Sequence, residues 1–173
     1  GNLKSYVVSE KQFGAINLVQ FIESFLLQMN TLTVEKNIKI KLLKEIQSPD
    51  IYVMANEENL QLIFSNLLTN AINYSYEKGT VNVILNEVNY NENKGLCVSI
   101  EDHGIGIDKE NIEKIFEEHY RTNQAAEFYE GGTGLGLSIV KVCCQILNVK
   151  LEIDSAPEQG TTVKLFFNIS GKV

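Results

Sequence analysis

The sequence predicts an α+β fold, a two-layer sandwich in which helices cover one face of a mixed β-sheet. Two long stretches, residues 17–35 and 56–75, place apolar side chains at helical spacing, and a third helical stretch lies at 135–147. Shorter stretches between and after them alternate or run apolar in the manner of strands. At 173 residues, 44% hydrophobic and 21% charged, the chain has the size and balance of one well-filled globular domain.

Residues 1–16 are weakly patterned and read as a residual linker from an upstream dimerisation region, with the domain proper over 17–173. From there Leu18, Phe21, Ile22, Phe25, Leu26, Met29 and Leu32 keep helical spacing through about residue 35, and Asn17 is placed to cap. Residues 38–42 alternate as a strand, Pro49 and Asp50 mark a turn, and 51–54 form a short second strand.

In the stretch 56–75, Leu60, Ile63, Phe64, Leu67, Leu68, Ala71 and Ile72 make one apolar face. Asn59, Asn66, Asn70 and Asn73 share an arc of about 60° beside it, with Tyr74 between stripe and face. Asparagine is a mediocre helix former, so propensity does not account for the stripe. It is either a solvated flank or a set of ligands. An amide oxygen suits a hard cation, and its NH₂ suits a phosphate oxygen.

Residues 80–90 and 95–102 read as a hairpin, and Asp108 is placed to cap a short helix through about Phe116. Residues 119–134 are polar and glycine-bearing, too irregular for an element and long for a connector, the character of a functional lid or a disordered segment. Two last strands, 150–154 and 161–168, flank a turn at 157–160.

A net charge of −7 argues against nucleic acid or an anionic membrane as partner. An anionic ligand would then need a metal cation and a few placed basic groups. No apolar run approaches the ~20 residues that span a bilayer, and nothing resembles a signal peptide. The chain begins with Gly1, so it reads as a trimmed fragment whose full-length protein could carry a membrane anchor upstream. Cys143 and Cys144 are neighbours in a helical stretch, where a mutual disulfide is geometrically poor. The three cysteines read as free thiols of a reducing, cytoplasmic compartment.

Two glycine clusters remain. Gly131, Gly132, Gly134 and Gly136 precede a helix, where bare backbone N–H groups and the helix dipole favour an anion. This is not a phosphate loop of the lysine type, because Leu137 stands where lysine would be. Nor does a strand lead into it as in a dinucleotide fold. Asp102, Gly104 and Gly106 end a strand, where a carboxylate beside thin backbone can accept from the exocyclic amine of a flat ligand.

In this order the asparagine helix, Asp-Gly turn and glycine loop resemble the ATP-binding domain shared by sensor histidine kinases, gyrase, mismatch-repair and heat-shock ATPases, most closely the histidine-kinase branch. The matching boxes are 66–75, 102–107, 116–121, 132–137 and 160–162, within a resemblance spanning about 17–169. It implies the sandwich fold, Mg²⁺ and ATP as cofactors, and roles for single residues. Asn70 matches the Mg²⁺ ligand, and Asn66 matches a polar residue at the phosphates. Asp102 would accept from the adenine amine, with Thr161 supporting it through water. Tyr74 and Ile107 would line the adenine pocket, with Gly104 and Gly106 in its turn. Gly132, Thr133, Gly134, Leu135, Gly136 and Leu137 would carry the phosphate loop, and Arg121 beside Tyr120 would approach the terminal phosphate. Residues 121–131 would form a mobile ATP lid. Asn73 stands where the family usually has lysine, and His119 replaces the second phenylalanine of its box. His119 and His103 read as surface or turn histidines without metal-ligand spacing.

Hydrolases of this superfamily resemble one another in placing a basic glutamate at the position of Asn66. An amide cannot activate water, and Glu57 and Glu58 lie upstream on other faces. The resemblance therefore implies a protein-histidine kinase catalytic domain. It would position Mg-ATP for transfer to a histidine on separate dimerisation helices of the same kinase, upstream of a response regulator. A chaperone-type ATPase, an anti-sigma-factor serine kinase, and a nucleotide-binding module without catalysis remain as alternatives.

Overall fold

The computed structural model describes residues 13–90 and 92–170. Five strands make the main sheet in the order β2-β4-β5-β7-β6: β2 is Lys39–Glu45, β4 Thr80–Tyr90, β5 Asn93–Asp102, β6 Lys150–Ala156 and β7 Gly160–Asn168. β2 runs parallel to β4 and the other pairs are antiparallel, so the sheet is mixed as the sequence predicts. A separate two-stranded ribbon joins β1 (Gly14–Asn17) to β3 (Tyr52–Ala55). The last residues of the expected linker thus belong to the folded unit; 1–12 lie outside the described residues.

Helix α3 (Glu57–Asn73) is the spine of the covering layer. The seven apolar positions of its predicted face are all buried, none more than 3% exposed. Each of the six larger ones contributes roughly 1.5–3 kcal/mol by leaving water, and Ala71 less. On one side α1 (Leu18–Gln28) brings Phe21 and Phe25 against Phe64, with ring centroids 6.0 and 6.4 Å away. On the other, α5 (Gly136–Leu147) buries Val140, Cys143, Cys144 and Leu147. Asn17 caps α1 by accepting from the Gln20 N–H at 3.1 Å, and Asn56 caps α3 through the Asn59 N–H at 2.8 Å.

Three local expectations are corrected. The helix expected over 17–35 breaks at Met29 into α1 and α2 (Asn30–Lys36). Helix α2 buries none of its residues fully, and past Phe25 in these two helices only the partly buried Leu26, Met29 and Leu32 still pack against the core. Residues after Asp108 form two single 3-10 turns, Lys109–Asn111 and Lys114–Phe116, and the Asp108 side chain caps neither. The segment expected as irregular contains helix α4 (Asn123–Phe128), capped by Thr122 through the Ala125 N–H at 3.0 Å. All three cysteines are free and buried. Burial pushes the Cys143 thiol up to about 11 and, with Cys143 beside it, Cys144 up to about 12. Among the described residues no helix is long and apolar enough to cross a membrane.

Candidate functional site

A cavity of about 350 Å³ opens between α3, the ends of β5 and β7, and the segment 120–137, a volume suited to a small molecule. Of the site residues predicted from sequence, all but Gly104 and Leu135 line it.

Asp102 closes one end. It is the last residue of β5, pairs in register with Thr161 of β7, and is 8% exposed. Its Oδ1 accepts from the backbone N–H of Gly104 at 3.0 Å and of Thr161 at 3.3 Å. Burial pushes the carboxyl up to about 6, outweighing the two backbone donors and nearby His103, with Glu101 adding to the rise. Ile100, Ile105, Ile107, Ile153 and Val163 make the walls apolar around Asp102 and Thr161.

The glycines here have a different purpose from the one expected. A Cβ on Gly104 would sit 1.8 Å from the Tyr74 carbonyl oxygen. One on Gly106 (φ +67°) would sit 1.9 Å from that of Ala156. They thin the backbone to admit the end of α3 and the β6–β7 turn, and so fix Asp102 rather than open room for a ligand. Behind Thr161 lies a residue the sequence reading missed. The Ser155 hydroxyl accepts from the Ile107 N–H at 2.9 Å, donates to the Gly160 carbonyl at 2.9 Å, and lies 2.7 Å from the Thr161 hydroxyl.

The asparagine stripe divides. Asn66, Asn70 and Asn73 line the cavity. Asn59 does not; it is wholly buried, and its Oδ1 accepts from the Cys143 thiol of α5 at 3.8 Å. The Asn66 NH₂ donates to the Leu62 carbonyl at 2.7 Å, and its Oδ1 lies 3.0 Å from where a Cβ on Gly136 would stand. Toward the glycine loop it therefore presents an acceptor, which suits a cation or an N–H better than a phosphate oxygen. Asn70 is half-buried on the same face.

Arg121 is engaged by the chain itself. Its Nη1 donates to the carbonyls of Gly132 at 3.0 Å and Glu130 at 3.5 Å. Its Nη2 donates to Ala125 O at 3.0 Å, Tyr129 O, and the Tyr74 hydroxyl at 3.4 Å. The guanidinium thus gathers the carbonyls of the segment expected as a lid. That segment also bridges the mouth. Gln124 donates to Glu158 at 3.0 Å, Tyr76 donates to the same carboxylate, and the Phe128 ring meets Tyr76 edge-on at 5.5 Å. Tyr129 stands edge-on to Tyr74 at 6.0 Å, under the Lys36 ammonium. Tyr120 donates to Asn111 at 2.7 Å. His119 and His103 are exposed, and His119 takes a left-handed φ of 63° beside Gly134.

Thr122, Ala125 and Tyr129 also line the cavity without having been singled out in the sequence. The capping threonine was the available signal for the helix that brings them there.

Comparison with known proteins assigns the family. The model of the histidine kinase-, DNA gyrase B- and HSP90-like ATPases matches residues 55–170, from β3 through β7. The chain belongs to that family. Sensor histidine kinase WalK of Bacillus subtilis is 33% identical over 150 residues, 86% of this chain and 23% of its own length. Sensor histidine kinase YkoH of the same organism is 38% identical over 128 residues, 73% of this chain and 27% of its own. The chain thus spans about a quarter of the length of these curated relatives. The mycobacterial sensor histidine kinase MprB superposes with a TM-score of 0.73 at 22% identity, covering 91% of this chain and 97% of that one. Full-length ShkA in complex with AMPPNP gives 0.77 at 21% identity, over 96% of this chain and 33% of that one. These two likenesses establish the shared fold. Within the family, this ATP-binding domain has its cavity where β5 ends and β7 begins, beside α3.

Proposed function

We propose that this chain is the catalytic domain of a cytoplasmic-facing sensor histidine kinase, holding Mg-ATP for transfer of the terminal phosphoryl group to a histidine on a separate dimerisation helix. Residues 1–16 would connect it to that helix, and a response regulator would receive the phosphoryl group next. The observation that carries the reading is the amide at Asn66. A hydrolase needs a base there, but this side chain has no useful basicity and its NH₂ is bonded to the Leu62 carbonyl. Glu57 and Glu58 are exposed in the first turn of α3 and cannot substitute. Alignment and charge neutralisation remain as the catalytic means.

In this reading Asp102 accepts from the adenine amine, with Thr161 beside it and Tyr74 and Ile107 against the ring. The loop 132–137 offers backbone N–H groups to the phosphates at the start of α5. Asn70 and the Oδ1 of Asn66 fit Mg²⁺, which takes few protein oxygens and keeps its waters. When bound, the ion neutralises charge on the phosphate oxygens.

One observation favours a second reading, a nucleotide-binding module without catalysis. Among the described residues lining the cavity, Arg121 is the sole basic side chain, and it is engaged by backbone carbonyls. Incubation with labelled ATP and Mg²⁺, with and without separately supplied acceptor helices, separates the readings. The kinase reading expects phosphohistidine only when the helices are present and little phosphate release without them. ATP binding with no transfer to any acceptor helix would leave the binding module, and rapid release by the chain alone would point to a hydrolase.

A further inference from the structure

We propose that Ser155 is a positioning residue that makes the cavity select 6-aminopurine over 6-oxopurine nucleotides, by fixing which way the Thr161 hydroxyl proton points. The inference deepens the nucleotide reading above and rests on it.

The argument is one of donors and acceptors. Ser155 has a single hydroxyl proton. Its oxygen already accepts from the Ile107 N–H at 2.9 Å, since a backbone N–H can only donate. The Gly160 carbonyl, 2.9 Å away, can only accept, so the Ser155 proton goes there. The third neighbour, the Thr161 hydroxyl at 2.7 Å, must then donate to Ser155 for all three contacts to be hydrogen bonds. With its proton committed backwards, the Thr161 hydroxyl has only lone pairs left for the cavity.

Asp102 is similarly fixed. Its Oδ1 takes the Gly104 and Thr161 N–H groups, and no hydrogen bond among the described residues engages Oδ2. Asp102 and Thr161 are register partners on adjacent strands, and both line the cavity. This end therefore presents two acceptors side by side. An exocyclic amine carries two N–H groups and can serve both, directly or through one water. A 6-oxo group in the same place brings a third acceptor against them, and the single N1–H beside it can serve only one of the two. Without the Ser155 oxygen, the Thr161 hydroxyl is free to turn and donate to that oxo group.

Calorimetric titration with ATP and with inosine 5′-triphosphate, both with Mg²⁺, tests this in the parent chain and in Ser155→Ala, Ser155→Thr and Thr161→Val. The parent is expected to favour ATP. In Ser155→Ala the preference should fall about fivefold to tenfold, mainly because the inosine nucleotide binds more tightly in absolute terms. General damage to the pocket would weaken both nucleotides and leave their ratio alone. Ser155→Thr keeps the hydroxyl and should restore the parent ratio. A parent ratio in Ser155→Ala, or parallel losses for both ligands, overturns the inference. Should Ser155→Ala fail to fold, Thr161→Val decides: it removes the hydroxyl and should also shrink the preference, so an unchanged ratio there overturns the inference. A parent that binds both nucleotides equally refutes the role of Ser155 alone. One that binds neither refutes the nucleotide reading itself.

Discussion

At the Asp102 end of the cavity the walls are backbone, and at the Arg121 end a side chain holds a loop together. Gly104 and Gly106 bring β5 within touching distance of the Tyr74 and Ala156 carbonyls, so neither can accept a side chain without moving main chain. The Asp102 carboxylate sits in this frame, buried and held by two backbone donors. Across the cavity, Gly132 approaches the guanidinium of Arg121, and that guanidinium binds carbonyls from Ala125 to Gly132. One end is set by the fold and costs no rearrangement on binding. The other has both terminal guanidinium nitrogens engaged by its own loop, and must give up those hydrogen bonds before they can serve a ligand. The contrast suits a site that recognises a base rigidly and adapts at the phosphates.

The sharpest way to break that contrast is to add one methyl group at each end. Gly106→Ala puts a Cβ 1.9 Å from a backbone oxygen at a φ of +67°, and should destabilise the fold by about 3–5 kcal/mol. Gly132→Ala meets the Arg121 guanidinium at 2.8 Å, the far end of a flexible side chain, and should cost about 1 kcal/mol or less. Urea denaturation of both variants compares them directly. Equal losses would mean that the two ends are equally rigid.

Asp102→Asn sharpens the comparison from the ligand's side. ATP affinity should drop by about one to two decades, roughly 1.5–3 kcal/mol, because an acceptor becomes a possible donor. In the parent, affinity should also weaken as pH falls through about 6, where the carboxyl takes up its proton. Stability runs the opposite way. Burial raises the folded-state value from 3.8 to about 6, so the stabilising contribution is present below the ordinary carboxylate range and lost as pH rises through 6. The asparagine variant without nucleotide should therefore gain more over the parent at about pH 8 than at about pH 5, by on the order of 1 kcal/mol. Thermal unfolding at the two pH values reads this, and a gain independent of pH would contradict it.

The smallest expected effect on stability belongs to Arg121→Lys, because an ammonium cannot span the carbonyls that the guanidinium fork reaches. Amide exchange across 122–132 should quicken by about tenfold, with global stability lowered by no more than about 1 kcal/mol. A large global loss would make Arg121 part of the frame.

Much of this was legible in the sequence because it depends on periodicity and residue type. The apolar face of α3, the cap at Asn17, the hairpin and the carboxylate at a strand end each leave a local signature. What was missed depends on contacts distant in the chain. β1 exists because β3 lies beside it, and four residues carry no pattern of their own. Helix α4 is six residues long and buries none of them, too short for spacing to show. Asn59 shares the stripe of Asn66 and Asn70 but faces α5, a division set by how two helices meet. Arg121 is drawn to backbone carbonyls, which every residue possesses and no sequence pattern marks. Ser155 matters through its neighbours across a turn, which a single serine does not announce.

Among the described residues the strand order leaves β2 at one margin of the sheet, with no strand beside its outer row of peptide groups. Such a margin is a template on which a second chain can extend the sheet. Lys39 and Lys41 are exposed along β2, two residues apart and so on one face. Two copies aligning these strands parallel and in register would bring their ammonium groups together, at a cost that grows as salt is lowered. The lysines of β2 thus put like charge along this margin, one of the means by which an open strand is kept from pairing with a copy of itself.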